Sequence, residues 1–250
     1  MPILKTKAIV LGSSNLGEED KIVKFFTEDF GKISSVVKRA RRIKGKYSGS
    51  IEPLNLVNLI YFEKENRSLT TINTCEILTS FHRVREDLER LKRGLYLIEL
   101  IDLILKERQK SKSIFDLSVH FTSLIESSDI GHIDTLMRIF EIRILSLAGY
   151  KPRLEKCTRC NRSVRTSDYY RLSPLLGGII CSSCSENKGE LLEISPGGLN
   201  FIKRALAMDL KRLSRLKLNS ELNKELNRFM HTYMETHLGK SPKVYAFFDQ

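Results

Sequence analysis

Two periods divide the chain. Over the first eighty residues apolar and polar positions alternate in short runs: ILKTKAIVL, DKIVKFFTE, GKISSVVK, LNLVNLIYFE and RSLTTINTCEIL. Each run is rich in β-branched or aromatic side chains and reads as a strand. Turn formers punctuate them at Gly12, Asn15, Gly31, Gly45, Gly49 and Asn66. Five short strands in this length predict a small closed barrel over 1–80, and the pattern alone admits both sandwich-like and OB-type barrels.

From residue 81 the period becomes helical. In EDLERLKRGLYLIELIDLILKER, Leu88, Leu91, Leu95 and Ile98 recur at three- and four-residue spacing, with Leu97, Leu100 and Ile104 widening the apolar face. IFDLSVHFTSLIESS and IDTLMRIFEIRILSLAG read as neighbouring helices, the second ending at Gly149, where a left-handed residue is favoured. Helices return at Ser195-Pro196, an N-cap followed by proline at the first helical position. A helix over 199–217 follows, and a last one over 219–238 carries Leu222, Leu226, Phe229, Met230 and Tyr233 on one face and stops at Gly239. The pattern predicts a helical domain over 81–250, interrupted at 151–194 by an insert of different composition.

That insert holds four of the five cysteines. Cys157, Cys160, Cys181 and Cys184 form a C-x2-C-x20-C-x2-C array. Two intervening residues let both sulfurs of a knuckle reach one ion, and a Gly177-Gly178 turn after YYRL can fold the second knuckle onto the first. Four thiolates complete a tetrahedral shell, so the array predicts one structural zinc ion per chain. The bland alternative is a set of reduced thiols or a redox pair. A closed shell leaves no position for a catalytic water, and His82, His120, His132, His231 and His237 show no H-E-x-x-H or H-x-E spacing. Cys75 stands alone, and the cysteine usage fits a reducing compartment.

Charge adds a partner to this picture. Lys and Arg number 42 against 30 Asp and Glu, for a formal net charge of +12. The excess is +4, 0, +3 and +5 over 1–80, 81–150, 151–194 and 195–250. A basic chain implies a polyanion. The densest run, KRARRIKGKY at 38–47, places Lys38, Arg39, Arg41, Arg42, Lys44 and Lys46 together without an acid, with Tyr47 available to stack on a base. A solvated loop with no dedicated partner is the plain alternative. Further cations lie at Lys203, Arg204, Lys211, Arg212, Arg215 and Lys217, and at Lys156, Arg159, Arg162 and Arg165 of the insert; these are exposed helix or rim residues, or second contact surfaces.

No catalytic residues are assigned. There is no G-x-S-x-G or G-x-G-x-x-G, and LGKS at 238–241 fails as a phosphate-binding loop because Met234 stands where its first glycine belongs. Glu18-Glu19-Asp20 is a candidate nuclease metal site or a solvated turn. The start MPILKTKAIVLGSS lacks a secretory pattern, and LYLIELIDLIL is too short and too charged to span a bilayer, so a soluble cytoplasmic protein with no membrane partner is expected.

The order of these pieces resembles the RecO family of bacterial DNA repair and recombination mediators. The resemblance rests on AIVLGSSNLGEEDKIVKFFTEDFGKISSVVKRARR, LERLKRGLYLIELID, FEIRILSLAGYKPRLEKCTRC, GGIICSSC and HLGKSPKVYAFF. It implies an α+β multidomain chain: an amino-terminal OB-fold β-barrel followed by an α-helical domain with an inserted four-cysteine zinc element. It also implies binding to single- and double-stranded DNA, annealing of complementary strands, association with RecR and single-strand-binding protein, help in loading RecA, and a nucleoid-associated location. The family often carries a glycine where Arg39 stands, and some members lack the cysteines. A zinc-containing transcription or RNA-binding factor is the alternative reading.

Overall fold

The computed structural model of the chain describes residues 2–42, 45–47, 49–63, 69–163, 170–185 and 191–244. They belong to two compact units, 1–127 with 243–250, and 128–242.

The first unit opens with five strands, β1 (Ile3–Leu16), β2 (Asp20–Thr27), β3 (Gly31–Val37), β4 (Leu56–Phe62) and β5 (Leu69–Thr79). They close into a barrel in the order β1-β2-β3-β5-β4. All pairings are antiparallel except β3 with β5, where Ser34, Ser35 and Val36 face Leu69, Thr70 and Thr71 in parallel. Closure decides between the two arrangements the alternation admitted, in favour of the OB-like barrel. Inside lie Ala8, Val10, Val23, Phe25, Ile33, Val57, Leu59 and Tyr61. Adjacent apolar residues mark strands covered on both faces: Phe25 fills the barrel, while Phe26 meets Phe115 edge-on with centroids 5.6 Å apart.

Gly12 and Asn15 are not turn residues. β1 runs through them, its register slipping between Val10 and Gly12, and the turn falls at 17–19 with Gly17 at φ 60°. A bulge inserts one residue into a continuing strand, and a glycine at that point looks in sequence like a break.

α1 (His82–Glu86), α2 (Leu88–Ile104) and α3 (Lys112–Ser127) complete this unit, so the change of period at residue 81 is not a change of packing. The buried residues of α2 are Arg90, Gly94, Tyr96, Leu97, Ile98, Leu100 and Ile101, so the expected Leu97, Ile98 and Leu100 are covered, whereas Leu88 is 65% exposed. The covered surface extends beyond the expected one on the side where Gly94 lies. A Cβ there would sit 2.7 Å from Leu54 Cδ1 and 2.9 Å from Val84 Cγ1, so the closest approach occurs where the sequence shows no apolar side chain. The carboxylate of Glu126 on α3 accepts the backbone N–H groups of Arg83 and Val84, capping α1 from another element.

Asp102 of α2 ties this helix to the barrel. Its carboxylate accepts Lys24 Nζ at 2.9 Å and Lys32 Nζ at 2.8 Å, and Lys32 is itself 8% exposed. Burial alone would push the Asp102 carboxyl up, but hydrogen bonds from the Lys32 and Lys24 ammonium groups outweigh it and hold the carboxyl below its ordinary range. A depressed folded-state value stabilises the protein fully above the unfolded carboxylate value near ~3.9, and the contribution disappears as pH falls through the folded value. Asp102→Asn is therefore expected to lower the urea midpoint at pH 7, by about 2 kcal/mol of stability, and to flatten the loss of stability below pH ~4. Urea melts between pH 3 and 7 check this.

The second unit contains α4 (Ile130–Leu147), the strands β6 (Tyr170–Ser173), β7 (Gly178–Cys181) and β8 (Leu192–Ile194), then α5 (Pro196–Ala207) and α6 (Ser220–Leu238). The punctuation read from sequence holds: Gly149 and Gly239 lie at φ 96° and 72°, and Ser195 Oγ accepts the Gly198 N–H at 3.0 Å. Glu225 of α6 accepts the Ser195 N–H at 2.9 Å, so α5 is also capped from a distance. The expected helix over 199–217 is broken. α5 stops at Ala207, Asp209 accepts the Lys211 N–H at 3.1 Å, and residues 210–215 form a separate 3-10 turn. Asp209 is a capping residue inside an otherwise helical pattern, and its side chain starts a new turn in place of continuing the old one. Among the described residues no helix is long and apolar enough to cross a membrane.

Candidate nucleic-acid interface and metal centre

The basic run leaves β3 and turns at once. Lys38, Arg39, Arg41, Arg42 and Lys46 are exposed; Lys44 lies outside the described residues, as does Arg165. Ala40 points the other way, 5% exposed, into the barrel core. Arg39 sits in the left-handed region at φ 56°, which costs a residue with a Cβ about 1–2 kcal/mol and explains why a glycine suits this position.

The loop is held by the acidic turn between β1 and β2. Asp20 Oδ1 accepts the Arg39 N–H at 2.8 Å, the Glu19 carbonyl accepts the Arg41 N–H at 3.0 Å, and Glu19 Oε1 accepts Arg42 Nη2 at 2.8 Å and Nε at 3.2 Å. The Gly17 carbonyl takes Arg41 Nη1 at 3.0 Å. Two members of the acidic trio thus serve as partners of the cationic loop. Periodicity cannot show this, because the two segments are twenty residues apart and meet only when β2 and β3 pair. Tyr47 anchors the far end: its hydroxyl donates to the Asn73 carbonyl at 2.5 Å, its ring packs half-buried on the barrel core, and Lys46 Nζ lies 5.1 Å from its centroid.

The four-cysteine array closes as its spacing predicts. All four sulfurs lie within 4.8 Å of one another, with Cys160 and Cys181 Sγ 3.6 Å apart. A tetrahedral ion with Zn–S bonds of ~2.3 Å sets its sulfur–sulfur edges at roughly 3.8 Å, so the donor set fits such an ion. The first knuckle turns at Asn161, φ 60°, and Cys157 N–H donates to the Arg162 carbonyl at 2.8 Å. β6 and β7 form the hairpin that returns the second pair. The paired glycines have separate reasons: Gly177 takes φ 66°, while a Cβ on Gly178 would lie 2.5 Å from the Arg153 carbonyl oxygen.

Electrostatics favour a cation in this clamp. Burial pushes the Cys157 thiol up, yet the backbone N–H groups of Cys160, Cys181 and Arg159 together with the Cys160 side chain bring it down to about 6. Cys184, hydrogen-bonded to the sulfurs of Cys181 and Cys160 and partly buried, is pushed up to about 12. The Cys157 thiolate is stabilised while the Cys184 thiolate is opposed, and a positive ion between them would relieve that opposition. Four thiolates around one ion would leave no coordination position for water.

An OB-like barrel with an exposed cationic loop, joined to a helical region with a four-thiol clamp, defines a class of chain that pairs a small β-barrel with a cysteine-stapled helical domain. The comparisons agree with that architecture. Residues 1–81 match the model described as Recombination protein O N terminal, and 85–246 match Recombination protein O C terminal. A DNA repair protein RecO of Symbiobacterium thermophilum is 32% identical over 222 residues, covering 88% of this chain and 87% of its own. Another, of Acetivibrio thermocellus, is 33% identical over 205 residues, covering 81% and 80%, and one of Alkaliphilus metalliredigens is 30% identical over 217 residues, covering 87% and 86%. The chain belongs to the RecO family of DNA repair proteins.

Proposed function

We propose that this chain is a non-enzymatic recombination mediator, cytoplasmic and nucleoid-associated, that binds single- and double-stranded DNA and anneals complementary strands. In this reading residues 1–80 are the nucleic-acid-binding domain. Lys38, Arg39, Arg41, Arg42, Lys44 and Lys46 meet phosphates, and Tyr47 closes the run. The helical domain over 81–250, with its insert at about 151–194, docks RecR and single-strand-binding protein and so assists RecA loading. The clamp of Cys157, Cys160, Cys181 and Cys184 holds one zinc ion, which supplies a fixed crosslink when bound.

The observation that carries the reading is the cationic loop itself, exposed on a small barrel, with the Arg39 and Arg41 backbone N–H groups held by Asp20 and Glu19. Neutralising phosphates lowers the repulsion between two strands and lets pairing supply the driving force, so nucleotide hydrolysis has no part in it. The engagement of Glu19 and Asp20 with the loop, and a four-thiol donor set that would close the shell of an ion, support the non-enzymatic assignment.

Annealing of complementary strands precoated with single-strand-binding protein, with and without RecR, tests this. Acceleration by the chain alone, and RecA filament formation only when RecR is added, is expected. Binding confined to one sequence or one RNA structure, or cleavage of labelled DNA in magnesium that vanishes with Glu18, Glu19 and Asp20 replaced, would overturn it.

A further inference from the structure

The second compact unit carries a cleft of ≈ 820 Å³ between the segment entering the clamp and the last turn of α5. Leu154 and Leu206 contribute to its floor, and Lys151, Arg153, Lys156 and Lys203 line it, with Glu155 the one acid among them. Among the described residues, none of these four cations has a carboxylate at ion-pair distance, in contrast to Arg42 on the barrel loop. Their backbone is fixed: Arg153 N–H donates to the Gly177 carbonyl, its own carbonyl accepts the Ile179 N–H, both at 2.9 Å, and Lys156 bridges to Ser163. Cations around a concave lining focus positive potential, and among the described lining residues Glu155 is the one carboxylate set against these four.

Among the described residues no aromatic side chain lines the cleft. A strand lying there is gripped through its sugar-phosphate backbone and not through stacked bases, which leaves the bases free to pair. We propose that this cleft is a second nucleic-acid site, taking the phosphate backbone of a second single strand while the barrel loop holds the first. The clamp then has a positioning role, since it fixes the segment that presents Lys151, Arg153 and Lys156. This inference rests on the annealing activity proposed above.

The test is the variant Lys151→Ala/Arg153→Ala/Lys156→Ala/Lys203→Ala in the full chain, its folding verified by metal content and thermal melting. A fluorescent oligothymidylate is titrated across a range of salt, strands bound per chain are counted, and the annealing rate of complementary oligonucleotides is measured. First-strand affinity is expected to stay within about twofold and the second equivalent to be lost. In the wild-type chain the second-strand phase should depend on salt with a slope of about −3 from four contacts at ~0.7 each, and the variant should show no such phase at any salt. Annealing should slow by about tenfold or more. The milder Lys151→Gln/Lys203→Gln variant, which touches both walls, should give an intermediate loss. Two strands bound and unaltered annealing in the fourfold variant would overturn the proposal. So would loss of an Asp-rich peptide with an apolar end while DNA binding is unchanged, since the occupant would then be protein. A wild-type chain that binds no single strand defeats the functional reading and this one with it, whereas failure of the cleft alone leaves first-strand binding intact.

Discussion

Cys157→Ser is expected to empty the clamp and loosen the second compact unit. Metal analysis of protein prepared without chelators should give about one zinc per chain for the native sequence and close to none for the variant. On the proposed reading Cys157 is the residue to change because it is 2% exposed and its sulfur accepts the Cys181 N–H at 3.4 Å, so its loss would remove both a bond to an ion and the link between the knuckles. Structural zinc contributes folding free energy directly, and loss of such a site belongs among the largest single-residue effects. A cost of about 4 kcal/mol corresponds to a melting shift of roughly 10 °C at this chain length. Cys75→Ser is the control. That thiol is buried in the barrel, pushed up to about 11 mainly by burial, and its replacement should leave metal content unchanged.

The second large effect concerns the loop. On the proposed reading, Arg39→Glu/Arg41→Glu/Arg42→Glu should weaken single-strand binding on the order of a hundredfold at 0.1 M salt and flatten the salt dependence by about 2 units of slope, three contacts at ~0.7 each. Unchanged affinity and slope would remove the loop from the DNA site. Two single substitutions separate charge from folding. Arg39→Gly deletes a cation while relieving a left-handed backbone, so thermal stability should rise as DNA affinity falls. Glu19→Gln releases Arg42 from its carboxylate, and affinity should rise severalfold. A purely structural loop gives neither opposed pair of signs.

Local patterns carried most of the fold and part of the site. The five strands, the hairpin between the knuckles, the caps at Ser195 and Gly239 and the four sulfur ligands depend on neighbours a few residues away, and such spacing is visible in sequence. Long-range features were not visible. Gly94 places a helix face where no apolar side chain marks it, and Leu54 and Val84 reveal the reason only once packed. Glu19 and Asp20 read as a solvated turn or a metal site until β2 and β3 bring Arg39 and Arg42 beside them. The cleft is less visible still, since Lys203 joins Lys151, Arg153 and Lys156 from half a hundred residues away on a different element.

Glu19 and Asp20 also bear on how binding curves for this protein should be interpreted. Condensed salt cations sit on the nucleic acid and leave as its phosphates are neutralised; Arg42 is already matched by Glu19, so a phosphate arriving there meets no net positive charge and releases fewer of them. The salt slope then counts fewer contacts than the strand makes. In Glu19→Gln the slope should steepen along with the affinity, exposing a contact that ion counting had concealed.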